Sequence, residues 1–201
     1  MSTLLKTSLL GLAMVSTAAM AELSDFTGFE AGVGLNMVGA SALVNLKNSM
    51  TYSNEYGQQT TAIKLHGGYG IELSKDTVLH FGLDYNTANI NAGYMHDADI
   101  NLLIKDVWSL SVAPGMLLSD KTLAYFKLSY EAGKFSSSHQ SATNYDASGV
   151  GYGFGVRTQI NKTTFLETEV KQVNYNTVID ESKNEISLKS TVGSVGVVFK
   201  F

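Results

Sequence analysis

The amino-acid sequence predicts an all-β chain, an eight-stranded antiparallel up-and-down transmembrane β-barrel preceded by a cleaved signal peptide. Three observations carry this: apolar and polar residues alternate with period two, short polar turns recur at near-constant spacing, and the composition departs from that of a soluble domain. Charged residues make up 16% of 201 positions, against roughly 25% in an average soluble domain, while Gly reaches 19 and Pro falls to 1. A hydrophobic fraction of 44% with a net charge of only −4 excludes a disordered chain. Cysteine is absent, which excludes a disulfide framework, a thiolate nucleophile and Cys-based metal sites. Arg157 is the single arginine, and with 18 acids in the chain no basic run exists to track phosphates, so nucleic acid is not an expected partner.

The first element is residues 1–21. Lys6 precedes the apolar run Leu9-Leu10-Gly11-Leu12-Ala13-Met14-Val15, and Ala19-Met20-Ala21 fits the small-x-small rule for signal peptidase. The run is too short for a membrane helix, which needs about 20 apolar residues. Cleavage after Ala21 would leave residues 22–201 as one exported barrel domain.

The strands follow. Leu79, Phe81, Leu83 and Tyr85 oppose His80, Gly82, Asp84 and Asn86. Ala124, Phe126, Leu128, Tyr130 and Ala132 oppose Tyr125, Lys127, Ser129, Glu131 and Gly133. Val150, Tyr152, Phe154 and Val156 oppose Gly149, Gly151, Gly153, Gly155 and Arg157. Each run has one apolar and one polar face. Short polar turns begin at Ser74, Ser119 and Asn161, spaced 45 and 42 residues apart, so the chain repeats a two-strand unit. Longer polar stretches, read as loops, cover residues 47–59, 89–105, 136–148 and 177–185. Three turns and four loops join eight strands.

Which face meets water decides between a soluble and a membrane barrel. The polar face carries Glu30, Lys64, His66, Glu72, His80, Asp84, Lys127, Glu131, Arg157, Glu167, Glu169, Lys171 and Lys200, together with most strand glycines. Glycine at alternate positions of a water-exposed face would only weaken the strands, whereas in a narrow lumen it makes room for the long side chains opposite. Apolar outside and polar inside is therefore the expected orientation. Outward Phe29, Tyr69, Tyr85, Trp108, Tyr130, Tyr152, Phe199 and Phe201 then suit two interfacial girdles.

At the C-terminus Val195, Val197, Phe199 and Phe201 alternate up to a terminal Phe, with Phe199 and Phe201 the expected assembly signal read by the outer-membrane assembly machinery. The segment Trp108 to Asp120, the strand ending Glu131-Ala132-Gly133-Lys134-Phe135, the run Gly151-Tyr152-Gly153-Phe154-Gly155-Val156, the acid-rich Phe165 to Val170 and the closing Val195 to Phe201 resemble the OmpX, attachment-invasion and opacity group of small outer-membrane proteins, of the OmpA-like barrel type. The resemblance covers the mature chain in architecture and its second half motif by motif. It implies a barrel in the bacterial outer membrane, surrounded by lipid and lipopolysaccharide.

Mirror positions about the turns suggest partners: Arg157 opposite Glu167 with Glu169 on the diagonal, and Glu72 opposite His80. The inner face holds six acids (Glu30, Glu72, Asp84, Glu131, Glu167, Glu169) and five bases (Lys64, Lys127, Arg157, Lys171, Lys200), a balance that suits a self-compensating polar plug better than an ion-selective path. Lys171, Lys127, Lys64, Glu131, His80 and Asp84 complete the expected lumen network with Arg157, Glu167, Glu169 and Glu72. No catalytic, cofactor or metal site is assigned: His66, His80, His96 and His139 lack metal spacing, Ser138-His139 with Asp146 lies in a Ser-rich stretch, and the Gly149 to Gly155 alternation has strand parity with no following helix. Tyr52, Tyr56, Tyr94 and Tyr145 are the candidate loop contacts, for a host or environmental surface ligand.

The function this implies is a non-enzymatic surface protein serving envelope integrity, with adhesion through the loops as its open part. A narrow pore for small solutes is the alternative, and a lipid-modifying enzyme in the same fold the second alternative.

Overall fold

The computed structural model describes residues 23–45, 53–95, 100–137, 144–179 and 184–201. The expected signal peptide, Tyr52, His96 and His139 lie outside them. A short 3-10 turn, Leu23–Phe26, leads into β1 (Gly28–Asn45), β2 (Ser53–Ser74), β3 (Thr77–Asn86), β4 (Ile90–Met95), β5 (Ile100–Ser119), β6 (Thr122–Ser137), β7 (Tyr145–Asn161), β8 (Thr164–Tyr175), β9 (Val178–Ile179) and β10 (Glu185–Lys200). All pairings are antiparallel, in the order β1-β2-β3-β5-β6-β7-β8-β10, and β10 returns to β1 from Glu30↔Lys200 to Asn45↔Glu185. The ring has eight positions, because β4 follows β3 onto β5 and β9 follows β8 onto β10. Closure leaves no edge strand within this ring, the condition for a sheet to stand in lipid.

The three tight turns lie at Lys75-Asp76, Asp120-Lys121 and Lys162-Thr163, at the end of the barrel that also holds the start of β1 and the end of β10. Asn161 shapes the last of them by accepting from the Thr163 amide at 3.0 Å, the side-chain mimic of a turn that Asn favours. Pro114 has no amide hydrogen to donate, and the β5–β6 pairing skips from Val112 to Gly115 around it.

The opposite end differs from the loop assignment. Residues 53–59, 90–95, 100–105, 145–148 and 178–179, read as loop, are strand. β1, β2 and β5 run 18, 22 and 20 residues, about twice the ~9–11 that cross a bilayer at barrel tilt. The upper barrel therefore stands above the membrane. The alternation of inward and outward positions continues unbroken there, but the polarity of the two faces exchanges, and this is why polarity alone misread it. On β1, Phe29, Val33, Leu35 and Met37 face outward while Glu30 and Asn36 face inward. From the next residue onward Val38, Ala40, Ala42 and Val44 are buried, and Ser41 and Asn45 take the outer face. β10 mirrors it, with Ile186 and Leu188 buried beneath Glu185, Ser187 and Lys189, and Val195 and Phe199 outward lower down. Lipid selects an apolar exterior and water a polar one, so the inner face changes from polar to apolar at the boundary.

Candidate functional site

The lumen consists of three layers. At the turn end, Phe26, Val78, Leu123, Phe165 and Val198 form an apolar cluster, with the Phe26 and Phe165 rings 5.2 Å apart. At the upper end a larger one joins Val38, Ala42, Ile90, Leu102, Ile104, Val107, Phe135, Val173, Ile186 and Leu188. A charged layer lies between them. The expectation of a lumen polar throughout is corrected accordingly: the polar plug occupies the middle only.

Within that layer most charges belong to one connected chain. Lys127 Nζ lies 2.6 Å from Glu169 and 3.5 Å from Asp84. Asp84 faces His66 Nδ1 at 2.6 Å, and His66 Nε2 faces Glu30 at 3.0 Å. Glu30 accepts from Arg157 Nη1 at 2.5 Å, Arg157 donates from Nη2 to Glu167 at 2.6 Å, and Glu167 accepts from Lys64 at 3.2 Å. Tyr125 donates to Glu169 at 3.0 Å. Lys171 and Glu131 pair at 2.6 Å, where Ser129 also donates to Glu131. Five carboxylates (Glu30, Asp84, Glu131, Glu167, Glu169) thus face four permanent cations (Lys64, Lys127, Arg157, Lys171), and His66 has both ring nitrogens against carboxylates, the donor pattern of an imidazolium. All are buried. The layer balances its own charge, as a buried ionic cluster must.

Glycines make the room. A Cβ at Gly155 would sit 2.3 Å from Tyr125 Cζ, and one at Gly151 2.4 Å from Ser129 Oγ. The β7 glycine alternation is therefore the wall against which the longer β6 and β8 side chains fold. A void of about 10 Å³ beside His80, Ser111 and Arg157 remains, room for at most about one water molecule.

Of the residues singled out from the sequence, Arg157, Glu167, Glu169, Lys171, Lys127, Glu131, Lys64 and Asp84 meet in this layer. His80 also lies in it, with Nδ1 at 3.5 Å from Glu30 and Nε2 without a partner among the described residues. Glu72 does not. It is exposed and opposite the buried Val78, on the inward parity but beside the tight turn at the end of the barrel, while Gly70 takes the place opposite His80. Glu169 does not serve Arg157; the second acid of Arg157 is Glu30, reaching across from β1. Glu30 carried an inward assignment without a partner, and strand parity cannot supply one, since its contacts come from β2, β3 and β7.

The candidate loop contacts are also redistributed. Tyr56 lies within β2 and Tyr94 within β4, and Tyr145 opens β7 packed against the upper apolar cluster, so none of the three is a loop residue. Outward aromatics form two groups, with Phe29 and Tyr69 4.6 Å apart below, and Trp108 and Tyr130 6.0 Å apart above.

A closed antiparallel ring with lipid-compatible outer band, charged inner layer and tight turns at one end is the geometry of an outer-membrane barrel. The family model described as the outer membrane protein beta-barrel domain matches residues 7–201. The chain belongs to this family. It is an outer-membrane protein, as the resemblance in its second half implied. No curated protein sequence matches it. Among solved structures this outer-membrane barrel is similar to Neisserial surface protein A, with 15% identity and a TM-score of 0.58 over 87% of this chain and 98% of that one. It is also similar to Ail, the attachment invasion locus protein of Yersinia pestis, solved with the heparin analogue sucrose octasulfate, with 12% identity and a TM-score of 0.50 over 87% and 99%. At such identities the likeness is one of fold.

Proposed function

We propose that this outer-membrane barrel is a non-enzymatic, non-conducting scaffold that serves envelope integrity and carries a rigid surface turret. The observation that carries this reading is the three-layer lumen. A solute would have to pass two apolar clusters and a charged layer whose members are already paired, which disfavours the narrow-pore alternative. The enzyme alternative finds little support among the described residues: His66 and Asp84 form a close pair, yet both are buried and held by Glu30 and Lys127.

The upper half then acts as a stalk. Paired strands hold the upper ends of β1, β2, β6 and β7 above the bilayer, and contact with other surfaces is assigned to that end. A binding role there, of the kind the Ail complex with a sulfated sugar illustrates for that protein, is the open part of the proposal. Deleting the gene in its host should raise sensitivity to detergent, and restoring a chain with Gly-Ser in place of residues 46–52 and 138–143 should rescue that phenotype while abolishing surface attachment. Failure of the restored chain to rescue detergent resistance would count against the scaffold role.

A further inference from the structure

On the outer wall, where β5, β6 and β7 leave the apolar band, lies an open cavity of about 500 Å³. Its floor is aromatic: Trp108 and Tyr130, with Tyr85 at one side. Its rim is charged, with Asp106, Lys134 and Asp146 all exposed. The level follows from the strands. Met116, Leu110 and Trp108 face outward up to this point on β5, and Phe126, Leu128 and Tyr130 do so on β6, after which Asp106 and Lys134 take the outer face.

The cavity is built by a backbone irregularity. The β5–β6 register shifts between Lys105 and Trp108, sending Val107 into the upper core and leaving Asp106 outward at φ 52, a conformation Asp tolerates better than most residues. Gly133 permits the close approach, since a Cβ there would meet the Lys105 carbonyl oxygen at 2.8 Å. Lys134 stands opposite Asp146 in the β6–β7 register and opposite Lys105 in the β5–β6 register. Among the described residues no ion pair joins Lys134, Asp106 or Asp146 to another group, so their charges are not consumed within the barrel.

We propose that this cavity binds the zwitterionic headgroup of a membrane amphiphile, a cationic amine joined to a phosphate. Aromatic faces with carboxylates beside them suit the amine, and the quaternary ammonium in particular. Lys134 between the two acids suits the phosphate. The position sets the source: the floor continues the lipid-facing band, so the occupant reaches it from the membrane with its chain in the bilayer. A sugar headgroup could stack on Trp108 but would leave the alternation of charges on the rim unused.

Trp108 is the single tryptophan, which makes its emission a direct reporter. The full-length barrel held in dodecyl maltoside micelles is titrated with dodecylphosphocholine, with dodecyl phosphate, dodecyltrimethylammonium and free phosphocholine as separate arms. The expected result is a saturable change in Trp108 emission at low mole fraction of dodecylphosphocholine, at least tenfold weaker for either singly charged detergent. Free phosphocholine is expected to give no saturation; a saturable response to it would overturn the membrane-borne source. Lys134→Met and Asp146→Asn should each weaken the dodecylphosphocholine response about tenfold, the scale of one lost charged contact. Both side chains lie outside the packed lumen, and unchanged heat-dependent gel mobility verifies that the variants are folded. A response linear in mole fraction, or one that either variant leaves unmoved, would overturn the site.

Discussion

Arg157 stands directly opposite Glu167 across the β7–β8 ladder and directs two donors, Nε at 3.2 Å and Nη2 at 2.6 Å, onto one carboxylate oxygen. Its third donor reaches Glu30 on β1, so one guanidinium ties strands on opposite sides of the lumen. Removing it leaves two buried carboxylates short of a partner. Arg157→Met should cost about 3–5 kcal/mol of stability by urea unfolding in detergent. Adding Glu167→Gln restores the charge balance, and the double variant should lose less than the sum of the two single ones. Additive losses would remove the pairing from the account.

Gly155 and Gly153 test the wall argument. Gly155→Ala drives a Cβ toward the Tyr125 ring and should cost about 1–3 kcal/mol, the range for overpacking. Tyr125→Leu in the same chain should recover part of it. Gly153→Ala meets the Val170 carbonyl oxygen at 2.3 Å and Lys171 Cα at 2.8 Å, so no side-chain truncation should relieve it. Unfolding midpoints of the three variants check both statements.

Above the membrane the inside-out rule of the barrel reverses, and substitutions should follow. Leu188, buried in the upper cluster, should cost about 2–5 kcal/mol on change to Ala. Its exposed neighbour Lys189 should tolerate Ala within about 0.5 kcal/mol. Equal effects at the two sites would mean that the upper layer is not a packed core.

Hydrogen exchange separates a turret from four long loops. Amides of residues 57–60, 102–105 and 145–148 sit in paired ladders and should exchange slowly in detergent or lipid discs. Exchange there at the rate of an unstructured peptide would return these stretches to the loops.

The architecture was legible in the sequence because a barrel strand in lipid has a rigid period of two. The turns at Ser74, Ser119 and Asn161, the outward Phe126-Leu128-Tyr130 face and the inward Gly149 to Gly155 row all follow from that period. Arg157 with Glu167 was legible too, since the turn between them is short and regular. Three features were not. Glu72 has inward parity yet stays outside the charged layer because it lies opposite Val78 at the turn end, and a polarity pattern does not say how far along the barrel the layer extends. Residues 57–59 read as loop because Gly57, Gln58 and Gln59 offer no apolar face, and the alternation of the buried Leu102 and Ile104 in 100–105 is too short to stand out from the polar stretch before it. Glu30 as a hub was hidden because its partners come from β2, β3 and β7, and local spacing carries no information about contacts across the lumen.

The closed lumen is the centre of the account, and conductance measures it most directly. The protein reconstituted into a planar lipid bilayer at neutral pH should give no reproducible single-channel steps in the wild type. Regular steps of fixed size from the folded wild-type barrel would contradict it, because they would require a continuous water path through layers that here are packed and paired.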